Sequence, residues 1–135
     1  MEVRVLSRAP RFRQGRRTWR GNPAGLAFDP WTADQITRWL RDVYADVRSV
    51  NPTLQLSAAP LGLYSAASYS GYSTGYYYGL PRHQDAKAWL AHGALDWIAP
   101  QVYWADGGSK PDFSDIVPDW VASASGRHIY PGMSA

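Results

Sequence analysis

The segment Trp97-Ile-Ala-Pro-Gln-Val102 constrains the fold more than any other part of the chain. It is short and mostly apolar, so it reads as a strand buried on both sides. Strands of that kind belong to parallel sheets, whose faces are covered by other elements. Side chains alternate along a strand, placing Gln101 and Tyr103 on one face and Ile98, Pro100 and Val102 on the other. Polar and aromatic groups at the C-terminal end of a buried parallel strand are how an α/β barrel presents a ligand site. Gln101, Tyr103 and Trp104 combine flat apolar faces with hydrogen-bonding edges, the pairing a sugar ring needs. An ordinary core strand whose aromatics only fill space is the competing reading.

The flanking segments alternate in type. Val3–Leu6 predicts a short strand, and the arginines after it predict loop over residues 8–22. Asn22-Pro23 and Asp29-Pro30 predict turns. Ile36, Trp39, Leu40, Val43, Tyr44 and Val47 fall on one stripe and predict a helix over 33–49. A Thr32/Gln35 capping box opens it and Asn51-Pro52 stops it. Asp34–Arg38 and Arg38–Asp42 pair on its wet face. Leu54–Pro60 predicts a second strand, with Ser57 and Ala59 on one face and Leu56 and Ala58 on the other.

Residues 61–81 carry Tyr64, Tyr69, Tyr72, Tyr76, Tyr77 and Tyr78 among serines and glycines. A connection this long is functional or disordered; a ligand-facing loop is one of these two readings. Asp85 then caps a short helix bearing Trp89 and Leu90, with Gly93 at its C′ position. Beyond the 97–104 strand, Pro118 predicts an irregular turn, followed by a helix from about Val117 to Ser125 that Gly126 closes. His128–Pro131 predicts a last strand. Strand-helix alternation throughout implies an α/β fold with a parallel sheet and helices outside.

At 135 residues the chain is one ordinary domain, too short for a complete eight-stranded α/β barrel, which needs about 250. Without cysteine it has no disulfide or thiolate metal site. No apolar run is long enough to span a membrane, and the N-terminus lacks the apolar core of a signal peptide. An export signal, if there is one, has been removed or lies elsewhere. Residues 1–27 carry seven arginines against Glu2, a net of +6, while the remainder carries −3. A basic arm can contact phosphate polymers. With twelve Arg and only two Lys in the chain, a coding bias and a solvated tail explain it better.

The acids sort by position. Asp34, Asp42 and Asp46 lie on a wet helix face, Asp85 and Asp112 read as caps, and Asp96 precedes a strand at its N-terminal end. Asp106 alone follows a strand's C-terminal end, beside Trp104, which makes it the one candidate catalytic carboxylate; an Asp before Gly107-Gly108 is also an ordinary turn residue. Glycosidases mostly need two carboxyls. His83, His92 and His128 have no metal-ligand spacing, so no metal is expected. Gly71 to Gly79 lacks the Lys and helix start of a phosphate loop, and no cofactor is expected.

Ser57-Ala-Ala-Pro-Leu-Gly62, Asp85, Trp89 and Gly93-x-x-Asp96-x-Ile-Ala-Pro-Gln-Val-Tyr-Trp104 resemble the later part of the bacterial glycosyl hydrolase-like 10 domain (the DUF187 type). Phe113 to Trp120 and Ile129-Tyr-Pro-Gly132 follow in the family's order, so the resemblance covers roughly residues 31–132. It implies part of a (β/α)8 glycosidase-like barrel, about three to four βα units, acting on bacterial envelope glycans of the peptidoglycan type in the cell envelope or outside the cell. The family's acidic strand has no counterpart here, and Thr32-Ala33 replaces its Arg pair before the long helix. Both departures weaken the expectation of catalysis by this chain alone.

The organisation expected is therefore a basic, mostly loop arm over 1–30 and a half barrel over 31–135. Hydrolysis is expected only within a full barrel. Asp106 is the candidate catalytic group, and Gln101, Tyr103, Trp104, Tyr64, Tyr77 and Ser57 are the candidate glycan contacts. Half a barrel leaves strand edges and an inner face open, which predicts a homodimer or pairing with a missing N-terminal half. A non-catalytic carbohydrate-binding module is the alternative from another class. A nucleic-acid binder comes third, with an affinity that would fall steeply with salt.

Overall fold

The computed structural model describes residues 27–69, 72, 76–107 and 111–134. The strand expected at Val3–Leu6 and most of the basic arm lie outside the described residues. Within them the order is helix α1 (Phe28–Val50), strand β1 (Ser57–Ala58), helix α2 (Ala86–Ala91), strand β2 (Trp97–Ile98), helix α3 (Phe113–Ala122) and strand β3 (His128–Ile129). The strands form one parallel sheet in the order β1-β2-β3, with Ser57 opposite Trp97 and Trp97 opposite His128. This is the α/β arrangement that the alternating segments predict.

The formal strands are two residues long, yet their hydrogen bonds run further. The N–H groups of Asp96, Ala99 and Gln101 donate to Leu56, Ala58 and Pro60, at 2.8, 2.9 and 3.0 Å. Those of Tyr130 and Gly132 donate to Ile98 and Pro100, at 2.9 and 2.8 Å. Pro60 and Pro100 bring no N–H of their own, which thins the ladder without interrupting its register. Single bridges joining Leu61, Gln101 and Gly132 carry it to the C-terminal end.

The two sheet faces differ. Ile98 and Val102 are wholly buried with Leu90 of α2 and Ile116 and Trp120 of α3, and Leu56, Ala58 and Ile129 pack against the same cluster. Ile36 and Leu40 of α1, partly buried, also pack against it. On the opposite face Ser57, Ala59, Tyr103, His128 and Tyr130 are exposed. A parallel sheet covered by helices on one side only is unusual, because such sheets normally bury both faces.

Two local expectations are corrected. Helix α1 starts at Phe28 rather than after Thr32, and Ala27 is its N-cap with no side-chain bond. Pro30 fits the first turn because an N–H there has no helical acceptor anyway. Thr32 and Thr37 lie inside the helix, where their hydroxyls donate to the carbonyls of Phe28 and Ala33 at 2.8 and 3.0 Å. No Thr32/Gln35 capping box forms. Trp39 stands 43% exposed, off the buried stripe, which runs through Ala33, Ile36, Thr37 and Leu40. The Asp34–Arg38 pair is made at 2.8 Å.

Helix α3 runs through Pro118 instead of starting beside it. Ile116 and Trp120, one turn apart and fully buried, hold the segment helical. Burying such side chains offsets the roughly 3 kcal/mol that an internal proline costs. The helix ends at Ala122, and Ser125 (φ 51) and Gly126 (φ 76) turn the chain into β3. Asp85 caps α2 as expected, accepting from the N–H of Ala88 at 3.2 Å, and Gly93 follows with φ 64.

Asp96 ties α1 to the N-terminal end of the sheet. One carboxylate oxygen accepts from Tyr44 at 2.8 Å and Arg48 at 2.5 Å, and the other from the Leu56 N–H at 2.8 Å. Desolvation pushes this carboxyl upward, but the bonds from Leu56, Tyr44 and Arg48 outweigh it and hold it below the ordinary carboxylate range. A depressed value stabilises the fold above the unfolded-state pKa of about 3.9 and loses that contribution as pH falls through the folded value. Asp96→Asn is expected to cost about 2 kcal/mol at pH 7. In urea titrations the gap from wild type narrows below about pH 4; a gap equally wide at pH 3 would contradict this account. Among the described residues no helix is long and apolar enough to cross a membrane.

Candidate functional site

The C-terminal ends of the three strands meet at one rim, and β2 lies at its centre. Gln101 bridges both neighbours through its backbone. Its side-chain amide donates to the Ala59 carbonyl at 2.8 Å, laying the group along the end of β1. Tyr103 is 53% exposed beside it. The absence of a side chain at Gly132 makes room for the Tyr103 ring, since a Cβ there would lie 3.3 Å from it. Gly62 serves Trp104 in the same way: a Cβ would come within 3.3 Å of the indole and 2.3 Å of the Gln101 carbonyl oxygen. Tyr130, at the end of β3, is also exposed.

Trp104 is partly buried and takes the edge of Tyr76 at 6.3 Å and 82°. Tyr76 in turn meets Tyr72, and Tyr72 stacks on buried Tyr69 at 5.4 Å. The long tyrosine-bearing connection therefore reaches the rim through Tyr76. Asp106, exposed in the loop after β2, accepts from the N–H of Ser114 at 2.7 Å. Ser114 is in the first turn of α3, so the carboxylate satisfies a helix-end donor from outside the helix. Asp112, the N-cap residue, makes no side-chain cap bond.

The structure brings Gln101, Tyr103, Trp104 and the Asp106 loop to this rim, but not the other three candidates. Ser57 pairs with Trp97 near the start of the ladder, four residues and roughly 13 Å below Gln101. Tyr64 sits in the helix layer, where its hydroxyl donates to Asp85 at 2.8 Å and its ring meets Trp120. Burial, followed by that bond to Asp85, pushes its phenol well above the usual range. Tyr77 is exposed, with the Arg82 guanidinium 4.3 Å above its ring. Tyr130 and Gly132 belong to the rim but carried no signal in sequence beyond the resemblance around Ile129-Tyr-Pro-Gly132.

Chemically, the candidate residues at this rim offer aromatic faces, the Gln101 amide and the Asp106 carboxylate. Of the other described acids, Asp85 serves its cap, Asp96 pairs with Arg48, Asp119 with Lys87, and Asp29 with His83 at 3.0 Å, while Asp112 and Asp115 flank Ser114 at the start of α3. No group of three or more His, Asp or Glu that could hold a metal exists among the described residues.

The model of the glycosyl hydrolase-like 10 family matches residues 8–133, a span that includes these strand-end residues. The chain belongs to that family. The match begins well before residue 31 and takes in most of the arginine-rich segment. Glycosyl hydrolase YngK of Bacillus subtilis (strain 168) is 24% identical over 122 residues, covering 85% of this chain and 24% of that protein. Glycosyl hydrolase DigH of Escherichia coli (strain K12) is 26% identical over 117 residues, covering 77% of this chain and 25% of that protein. The chain thus spans about a quarter of the length of these curated relatives.

Proposed function

We propose that this family member forms part of the glycan-binding rim of a (β/α)8 glycosidase-like barrel, and that hydrolysis needs the complete barrel. The observation that carries this reading is the parallel ladder through Leu61, Gln101 and Gly132, which gathers Gln101, Tyr103 and Trp104 at one end. The bare sheet face supports it too, because the inner face of a barrel segment is left open when the remaining strands are not against it. Trp104 and Tyr103 supply stacking faces and Gln101 a hydrogen-bonding edge. Bacterial envelope glycans of the peptidoglycan type are the proposed ligand, following the family resemblance.

Asp106 is the proposed catalytic carboxylate. Its position after β2 suits a proton donor or nucleophile, and the second carboxyl that such hydrolysis needs would come from elsewhere in the barrel. The test is to titrate this chain with peptidoglycan glycan strands freed of peptide and with chitin-type oligosaccharides, while measuring reducing ends. Saturable binding without release is expected; release by this chain alone, or no binding, would overturn the proposal. In a complete barrel, Asp106→Ala is expected to slow release about a hundredfold. If activity persisted and only about 1 kcal/mol of stability were lost, Asp106 would be a helix cap and nothing more.

A further inference from the structure

Lys87 and Asp119 lie behind the rim, in the helix layer. The Lys87 ammonium is 2.5 Å from one carboxylate oxygen of Asp119 and 4.8 Å from the centre of the Tyr64 ring. The other oxygen of Asp119 accepts from the Tyr69 hydroxyl at 2.7 Å. Tyr69 is buried, and burial followed by its bond to Asp119 pushes its phenol far up, so it remains a donor at every working pH. From Tyr69 a run of ring contacts passes through Tyr72 and Tyr76 to Trp104, with spacings of 5.4, 6.4 and 6.3 Å. Tyr72 is also held at the start of α3, where its hydroxyl accepts from the Asp112 N–H and donates to Asp115, both at 3.3 Å.

We infer that Lys87 and Asp119 are positioning residues for Trp104, acting through Tyr69 and the ring run to set the orientation of the indole at the rim. The inference rests on the glycan-rim reading for its consequence in binding, but not for its geometry. An ammonium in the 21%-exposed environment of Lys87 polarises Asp119 and fixes the carboxylate that accepts from Tyr69. Stacked and edge-on rings have preferred separations, so a shift of Tyr69 is passed along the run instead of being absorbed.

The test uses the full chain with Lys87→Met, Tyr69→Phe and the conservative Lys87→Arg. The Trp104 indole N–H resonance, assigned with Trp104→Phe, is followed without ligand; affinity for chitin-type oligosaccharides is measured alongside. Lys87→Met and Tyr69→Phe are expected to move that resonance and weaken binding about fivefold, while Lys87→Arg restores both. Tyr69→Phe removes one hydroxyl and keeps the ring, so it serves if Lys87→Met fails to fold. An unmoved Trp104 resonance in Tyr69→Phe would overturn the positioning role. A moved resonance in a chain whose wild type binds no glycan would leave positioning standing and remove the glycan reading.

Discussion

Gly62→Ala is expected to destabilise the chain by about 4 kcal/mol, a large share of what a domain of this size has in reserve. The added Cβ would sit 2.3 Å from the Gln101 carbonyl oxygen and 2.8 Å from its carbonyl carbon. These are backbone atoms, so the strands themselves must part. Overpacking of that kind costs about 1–3 kcal/mol. Parting the strands also disturbs the Leu61–Gln101 bridge and the 2.7 Å bond from the Trp120 indole to the Gly62 carbonyl. Each lost bond adds about 1 kcal/mol. Gly126→Ala is the control: nothing lies within 4 Å of its Cβ, and only its φ of 76° is strained. That variant should lose about 1 kcal/mol. Urea denaturation of both variants separates close approach from backbone conformation, and equal losses would contradict the ladder geometry at the rim.

The second large effect concerns ligand. Trp104→Ala is expected to reduce glycan affinity tenfold or more, about 1.4 kcal/mol or greater. An indole partly buried against Gly62 and Tyr76 loses little freedom when a sugar settles on its open side, so most of its contact area contributes to binding. Gln101→Ala should cost less in affinity and more in stability, because its amide already serves the Ala59 carbonyl. Calorimetry on variants whose far-ultraviolet circular dichroism matches wild type checks both. A Trp104→Ala chain that binds as tightly as wild type would remove the indole from the site.

Local signals were legible in sequence. The Asp85 cap, Gly93 at C′, the Asp34–Arg38 pair and the strand alternation all depend on residues within four positions of one another, and each is present. Where tertiary burial outweighed local preference, the reading failed. Thr32 reads as a cap but is internal, because burial of Ala33 and Thr37 extends α1 toward its start. Pro118 reads as a break but is tolerated between Ile116 and Trp120. Which tyrosines of the 61–81 connection reach the rim was not legible, whereas Tyr103 was placed at the strand end by alternation alone. Tyr64 and Tyr69 are directed by Asp85 and Asp119, 21 and 50 residues away, and spacing carries no trace of such partners. Lys87 and Asp119 went unmarked for the same reason, being 32 residues apart.

The most direct measurement is a backbone-amide NMR titration of the full chain with chitin-type oligosaccharide. Shifts concentrated at residues 59–62, 101–107 and 130–132 are the predicted result, since those segments end the three parallel strands. Shifts confined to the groove between α1 and α2, lined by Ala33, Thr37, Pro81 and Ala88, would contradict the account.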